Sequence, residues 1–210
     1  SKLAPLFINH SDVKKYKTDS PLILYAPTFS PNLRSTYDLF KKIKDLAFKD
    51  KWSWLIKLHP KAKKEEIDMY KSIESSNLRF VETEDIIPLL QASDVLLSDT
   101  SSILPEFSLL NKPTISYKNR RPESWMINFS DPEDLEKTIE KAFSGNSEHK
   151  NIISENNKLV HPYTDGKSSE RVLLETEKLI EKGIDHLKSK PLNLFRKLKI
   201  RKKLRYYKWK

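Results

Sequence analysis

The chain has no cysteine and only three glycines in its 210 residues. Without cysteine it cannot form disulfide bonds, thiolate metal sites or a cysteine nucleophile, and its composition is compatible with a reducing cytoplasm. With so little glycine, its turns must rely on Pro, Asn, Asp and Ser. It also lacks an apolar run of about 18 residues, so no segment is predicted to span a bilayer.

Negative charge is missing from the C-terminal segment. Residues 188–210 contain eleven Lys and Arg and no Asp or Glu, whereas the rest of the chain has 28 basic and 29 acidic residues. The net charge of +10 therefore belongs to this segment. A nucleic-acid footprint spread over the whole surface is excluded, because the body is nearly neutral.

The composition, 37% apolar and 32% charged, is typical of a water-soluble globular body. The length suits one well-buried domain. We predict an interdomain linker at residues 1–20, an α/β domain at 21–187 and a basic, aromatic tail at 188–210. The chain begins Ser1-Lys2-Leu3 without an initiating Met, so we expect a preceding N-terminal domain.

Apolar runs alternate with amphipathic segments along the chain. Strands are predicted at residues 21–27, 52–58, 78–81, 94–97 and 113–117, and helices at 35–49, 63–72, 86–91, 102–110, 132–143 and 168–184. Ser35 is the expected N-cap of the first helix. This alternation predicts an α/β fold with a doubly wound parallel sheet, in which ligands bind outside the carboxyl ends of the strands.

One polar run links a predicted buried strand to a helix. It consists of Ser98, Asp99, Thr100, Ser101 and Ser102. Hydroxyls and free backbone N–H groups at a helix N-terminus favour an anion, so the run indicates a phosphate site without glycine. The alternative is that Thr100 or Ser101 only caps the helix.

A second group follows another predicted strand. Strand alternation places Lys57 and His59 on the same side, with Lys61 close by, so that they can face one diphosphate. Alternatively, His59 has a structural role. Glu106, in the first turn of the helix after the hydroxyl run, either accepts hydrogen bonds from a ribose or only interacts favourably with the helix dipole.

These pieces occur in a characteristic order. They are Ala26-Pro27-Thr28-Phe29, Lys57-Leu58-His59-Pro60, residues 94–102, Asn111-Lys112-Pro113-Thr114 and Asp165-Gly166-Lys167-Ser168-Ser169. Taken alone, the last block also reads as an ordinary turn followed by a helix cap. In this order the pieces resemble the donor domain of the CDP-glycerol:poly(glycerophosphate) glycerophosphotransferases.

The resemblance implies the C-terminal half of a GT-B fold that binds a CDP-linked donor. It implies that His59, Ser101 and Ser102 hold the donor diphosphate, that Thr28 borders the cleft and that residues 82–85 lie near the nucleobase. The expected reaction moves glycerol phosphate or ribitol phosphate to a lipid-linked glycan acceptor at the cytoplasmic face of the cell membrane. The missing N-terminal acceptor domain is expected to supply the general base.

From the residues themselves we assign His59 a catalytic role, stabilising charge on the departing nucleotide. The predicted substrate-binding residues are Thr28, Lys57, Lys61, Ser98, Asp99, Thr100, Ser101, Ser102 and Glu106. No covalent cofactor is required, and no carboxylate or histidine cluster has metal-ligand spacing. The alternatives are a glycosyltransferase that uses a nucleotide sugar for capsule or lipopolysaccharide synthesis, and a non-catalytic nucleotide-binding domain.

The basic tail interleaves cations with bulky apolar side chains, among them Phe195, Tyr206, Tyr207 and Trp209. Such a segment suits an anionic membrane surface, because cations attract the headgroups while aromatic rings settle at the interface. RNA binding is the rival interpretation, since basic and aromatic groups also bind phosphates and bases. A solubilising tail without a ligand is the third.

Overall fold

The protein is described here from a computed structural model, which covers residues 11–183 and 188–206. Its strands are β1 (Leu22–Tyr25), β2 (Ser53–Ile56), β3 (Leu78–Phe80), β4 (Val95–Ser98), β5 (Thr114–Tyr117) and β6 (Met126–Phe129). They form one six-stranded sheet in the order β3-β2-β1-β4-β5-β6, and every neighbouring pair is parallel. The predicted α/β fold with a doubly wound parallel sheet is confirmed.

Along the described part of the chain, the first four α-helices alternate with β1 to β5, and four more α-helices follow β6. They are α1 (Thr36–Ala47), α2 (Lys64–Lys71), α3 (Ile87–Ala92), α4 (Ile103–Ser108), α5 (Leu135–Phe143), α6 (Ser147–Val160), α7 (Ser168–Lys182) and α8 (Leu194–Lys203). Two short 3-10 helices cover Ser11–Lys15 and Pro132–Asp134.

Both faces of the sheet are buried, which explains why β1 is a continuous apolar run. Ile23 and Tyr25 contribute to a core cluster that includes residues of α1, α2 and α5. Leu22 and Leu24 point the other way, into a cluster with residues of α3, α4 and α6. Two helical layers therefore cover the faces of the sheet, so a ligand can approach it only at its borders, such as the ends of the strands.

The sequence analysis did not predict β6, α6, α8 or the 3-10 helix at Ser11–Lys15. Strand β6 reads Met-Ile-Asn-Phe and alternates between buried and exposed residues at the edge of the sheet, so it has no apolar run. Helix α6 buries only Ile153 and Asn157, so its apolar periodicity is too weak to distinguish it from a loop.

Within the predicted linker, Val13 and Tyr16 are buried in the core. One expectation needs correction. Ser35 does not cap α1 through its side chain, since its hydroxyl is used in the buried network described below. Residues 1–10 of the predicted linker, Ile184 of the last predicted helix, and Tyr207 and Trp209 of the tail lie outside the described residues.

The chain divides into two compact units, Ser1–Lys167 and Ser168–Lys210. The second unit contains α7 and α8, and neither helix buries a side chain among the residues that the structure describes. Its exposed apolar side chains include Val172, Ile180 and Phe195. Within residues 11–183 and 188–206, no helix is both long and apolar enough to cross a bilayer.

Candidate active site

A cleft lies at the carboxyl edge of the sheet, beside the point where β1 and β4 are neighbours. The chain leaves these two strands in opposite directions, toward β2 on one side and β5 on the other, and this divergence creates a crevice in doubly wound sheets. The cleft has a volume of about 310 Å³. Its lining residues are Ala26, Pro27, Lys57, Leu58, His59, Pro60, Thr83, Glu84, Ile86, Ser101, Ser102, Ile103 and Glu106.

The buried side chain of Asp99 holds in place the β1–α1 loop, which forms part of the wall of this cleft. Its carboxylate is fully buried and accepts hydrogen bonds from the backbone N–H of Thr28 and from both the backbone N–H and the hydroxyl of Ser35, each at 2.9 Å. Burial raises the pKa of Asp99, and these hydrogen bonds oppose that shift. The carboxylate therefore joins the end of β4 to both ends of the β1–α1 loop.

Ser98 and Asp99 do not have the role predicted for them. The buried Ser98 hydroxyl donates to the carbonyl of Ala26 at 2.6 Å, which joins β4 to the end of β1. Both side chains are buried and their polar atoms are hydrogen-bonded inside the protein, so neither lines the cleft. They position the site and do not line it, which corrects the expectation that they contact the donor.

The network continues from Asp99 into the core. Because the Ser35 hydroxyl donates its hydrogen to Asp99, the Tyr25 hydroxyl donates to Ser35 Oγ, at 2.8 Å. Burial raises the pKa of Tyr25 well above its usual value, so its hydrogen remains in place. The β1–α1 loop thus rests on a chain of directed hydrogen bonds.

A second buried carboxylate supports the start of α1 from the other side. Glu66 of α2 accepts hydrogen bonds from the Thr36 hydroxyl and, at 3.1 Å, from Arg34 Nη1. The Tyr70 hydroxyl donates to the carbonyl of Thr36 at 2.8 Å. The N-terminus of α1 is therefore held between two carboxylates, those of Glu66 and Asp99.

His59 has a defined hydrogen-bonding state. Its Nδ1 accepts from the backbone N–H of Lys61 at 3.0 Å, so the neutral ring carries its hydrogen on Nε2. Burial, together with Lys61 and Lys57, lowers the pKa of His59. The ring also packs on Phe29, with centroids 4.3 Å apart. At neutral pH, His59 therefore offers an uncharged N–H donor from a fixed ring.

The two lysines near His59 differ in position. Lys57 is half-buried, lines the cleft and donates to the carbonyl of Leu58 at 2.9 Å. Burial lowers its pKa, and Glu82 opposes this shift. Lys61 is exposed, its Nζ lies 5.3 Å from the centroid of the Phe29 ring, and it is outside the cleft lining. Lys57 is therefore better placed to meet an anion in the cleft.

The residues of the hydroxyl run, Ser98 to Ser102, do not all reach the cleft. Ser101 and Ser102 line the cleft together with Glu106, whereas Thr100 Oγ1 accepts from the backbone N–H of Arg120 at 3.3 Å. Thr28 and Thr100 are half-buried and border the cleft without lining it. Helix α4 has only six residues, so hydroxyls and backbone N–H groups, more than a helix dipole, would hold an anion here.

A second cavity adjoins the first across the β2–α2 loop. It has a volume of about 460 Å³ and shares with the first cleft the wall formed by residues 57–60 and 83–84. Ile67, Phe80 and Val81 make its far side apolar, and Glu82 adds a carboxylate. A polar cleft beside a partly apolar one would suit a ligand with a charged part and a flat, less polar part, such as the phosphates and the base of a nucleotide.

The loop after β5 was missed by the sequence analysis. The Asn119 side chain donates to the carbonyl of Asp99 at 2.9 Å, and the backbone of Arg120 holds Thr100 as described above. Applying the same strand-end rule to β5 would have identified these residues. Arg120 and Arg121 are exposed, so they add positive charge at this edge of the sheet.

Comparison with known proteins agrees with this geometry. Residues 10–121 match the family described as CDP-Glycerol:Poly(glycerophosphate) glycerophosphotransferase. The chain belongs to this family. It is 30% identical over 170 residues to the teichoic acid poly(ribitol-phosphate) polymerase of Bacillus spizizenii, a match that covers 74% of this chain and 27% of the relative. It is 38% identical over 98 residues to the teichoic acid glycerol-phosphate primase of Bacillus subtilis, covering 46% and 25%.

Solved structures share the fold of this family member. The wall teichoic acid polymerase TagF aligns with a TM-score of 0.59 at 16% identity, covering 86% of this chain and 51% of that chain. The UDP-GlcNAc 2-epimerase of Neisseria meningitidis bound to UDP-GlcNAc aligns at 0.53 and 20%, covering 78% and 46%. The predicted GT-B fold and family resemblance are confirmed. The chain spans about a quarter of the length of these curated relatives and about half of these structures.

The buried network leads to a prediction about stability. Asp99→Asn replaces one acceptor oxygen with an NH₂ group that meets N–H and O–H donors, so the free energy of unfolding should fall by about 2 kcal/mol. Urea denaturation measures this change. Asp68→Asn, at an exposed position of α2, is the matched control and should have almost no effect. If Asp99→Asn stabilises the fold, the cost of burying the charge outweighs its hydrogen bonds.

Proposed function

We propose that this chain is the donor-binding part of an enzyme of teichoic acid synthesis. It binds a CDP-linked alditol phosphate, and the enzyme transfers the phosphoalditol to a hydroxyl group of the growing polymer. The observation that carries the proposal is the meeting of Lys57, His59, Ser101 and Ser102 in one cleft at the switch point of the sheet. Family membership supports the same donor class.

The two adjoining cavities suggest how the donor lies. The diphosphate occupies the cleft with the hydroxyls of Ser101 and Ser102, and Glu106 accepts hydrogen bonds from the ribose. The nucleobase lies in the second cavity, against Phe80 and the polar residues 82–84. One structure of TagF was determined after a soak with CDPG, which supports a CDP-linked donor for that polymerase's relatives.

The chemistry is a displacement at the phosphorus atom that carries the alditol. A bond forms from the acceptor oxygen to this phosphorus, the bond to the bridging oxygen breaks, and CMP leaves with the bonding electrons. His59 Nε2–H and the Lys57 ammonium stabilise the negative charge that develops on the departing phosphate. The acceptor proton passes to a base that we expect from the N-terminal acceptor domain.

We propose that the acceptor is a lipid-linked glycan polymer at the cytoplasmic face of the membrane. A nucleotide-sugar donor is the second candidate, because the UDP-GlcNAc 2-epimerase that shares this fold was solved with UDP-GlcNAc bound. Calorimetry with CDP-glycerol, CDP-ribitol and UDP-GlcNAc on the same chain distinguishes these donors.

The hydroxyl pair gives a prediction about affinity. Ser101→Ala combined with Ser102→Ala removes two donors to the diphosphate, each worth about 1.5–3 kcal/mol when the acceptor is charged. CDP-glycerol binding measured by calorimetry should therefore weaken by roughly 100-fold or more in a folded protein. The double variant Ser130→Ala plus Ser144→Ala, at exposed positions away from the cleft, is the control. Unchanged affinity in the folded Ser101 and Ser102 variant would falsify the phosphate site.

His59 gives a prediction about pH. Its pKa is lowered in the free protein, and a bound diphosphate would raise it. Between these two pKa values the donor binds together with a proton, so affinity should increase as pH falls through this window. Calorimetry in buffers of different ionisation enthalpy measures the proton uptake.

His59→Gln is the variant for this test. It should abolish the proton uptake and lower turnover by the full-length enzyme by roughly 100-fold or more, with little change in melting temperature. The opposite result, a large drop in melting temperature with normal turnover, would show that His59 is structural.

We also propose that residues 188–210 hold the enzyme on an anionic membrane. In α8 and the residues after it, cations stand beside exposed apolar side chains such as Leu194, Phe195 and Leu204. Each cation near a charged surface contributes roughly 1 kcal/mol, and the apolar groups add insertion into the headgroup layer.

Deletion of residues 188–210 tests this membrane proposal. The truncated protein should no longer sediment with anionic liposomes, while its affinity for CDP-glycerol stays unchanged. Neutral liposomes and high salt are the controls, because screening weakens the attraction. Sedimentation that survives truncation contradicts the proposal, and so does RNA that competes for the intact tail more strongly than lipid.

A further inference from the structure

Another cleft lies at the amino ends of the strands. It is at the opposite border of the sheet from the cleft that contains His59, which we call the donor cleft. It has a volume of about 440 Å³ and forms where β5 and β6 begin, between the end of α5 and the start of α6. It shares no lining residue with the donor cleft. Met126, Ile127 and Ala142 contribute apolar surface, and the remaining lining is mostly polar.

Two lysines from different helices line this cleft. Lys141 of α5 and Lys150 of α6 form no ion pair with any residue in the described part of the chain. Gly145, between the two helices, has the left-handed backbone that favours glycine, and Lys150 Nζ lies close to it. Glu148 is the one carboxylate among the lining residues, so the cleft carries net positive charge.

His149 adds an acceptor to these cations. Its ring donates a hydrogen bond to the backbone carbonyl of Trp125, while its Nε2 is shielded and has no hydrogen-bond partner among the described residues. Burial, together with Lys141, lowers the pKa of His149, so the ring is neutral and Nε2 is an acceptor. A shielded acceptor without a partner is costly, and a hydroxyl hydrogen from a ligand would satisfy it.

We propose that this cleft binds a phosphate ester that also carries a hydroxyl group. Lys141 and Lys150 bind the phosphate, His149 Nε2 accepts from the hydroxyl, and the apolar lining contacts the carbon chain between them. An inorganic anion would use only the lysines, and an uncharged polyol only the histidine. The inference depends on the lining residues alone and stands apart from the proposed donor.

The test uses glycerol 3-phosphate, inorganic phosphate and glycerol as probes of the 210-residue chain. NMR resonances of His149 report binding at this cleft, and those of His59 report the donor cleft separately. We expect glycerol 3-phosphate to shift the His149 signals with an affinity roughly tenfold above that of inorganic phosphate, and glycerol to leave them unchanged. Lys141→Gln should weaken binding roughly tenfold.

Lys137→Gln is the matched control, since this exposed lysine lies on the same helix outside the cleft. His149→Gln should retain inorganic phosphate binding and lose the preference for glycerol 3-phosphate. His149 signals that do not respond to millimolar glycerol 3-phosphate overturn the proposal, as does an equal loss in the Lys137 and Lys141 variants. A separate titration with CDP-glycerol, read at His59, decides the donor proposal independently.

Discussion

The buried carboxylate of Asp99 is the interaction on which the carboxyl edge of the sheet depends. It stands at the end of β4, yet it accepts three hydrogen bonds from Thr28 and Ser35, at the two ends of the β1–α1 loop. Parallel strands place their exits side by side but do not fix the loops that follow. Here one side chain fixes that loop, and Glu66 secures the start of the next helix.

Rigidity at this edge matters because, among the residues that the structure describes, the cleft is lined by a single lysine, Lys57, and by the carboxylates of Glu84 and Glu106. His59 is held neutral by its surroundings, and Lys57 is partly desolvated. A neutral N–H donor stabilises an anion less than a cation does in water, but a donor that is already fixed in position needs no reorganisation when charge develops. The ring is fixed by the N–H of Lys61 and by the face of Phe29. In the proposed function, these contacts hold the His59 ring in a fixed position beside the departing phosphate.

Much of the fold was predictable because β1, β2 and β4 contain short apolar runs, and the shorter strands β3 and β5 follow in the same alternation with helices. Strand β6 follows β5 without an intervening helix, and α6 has little apolar periodicity, so neither fits that pattern. The site was partly predictable for a related reason. The strand-end rule located Lys57, His59, Ser101 and Ser102, but it did not show that the carboxylate of Asp99 turns inward. That outcome depends on donors 64 and 71 residues away in sequence, and local periodicity contains no information about such pairs.

Every loop that lines the donor cleft is built without glycine, since the three glycines are Gly145, Gly166 and Gly183. A Cβ at each position keeps the backbone at a distance from the ligand, so the ligand meets mainly side chains. Single substitutions can therefore change the size and polarity of the binding surface while the backbone stays in place. In evolutionary terms, the donor preference of such a cleft can change by point mutation, without loop insertion or a new fold.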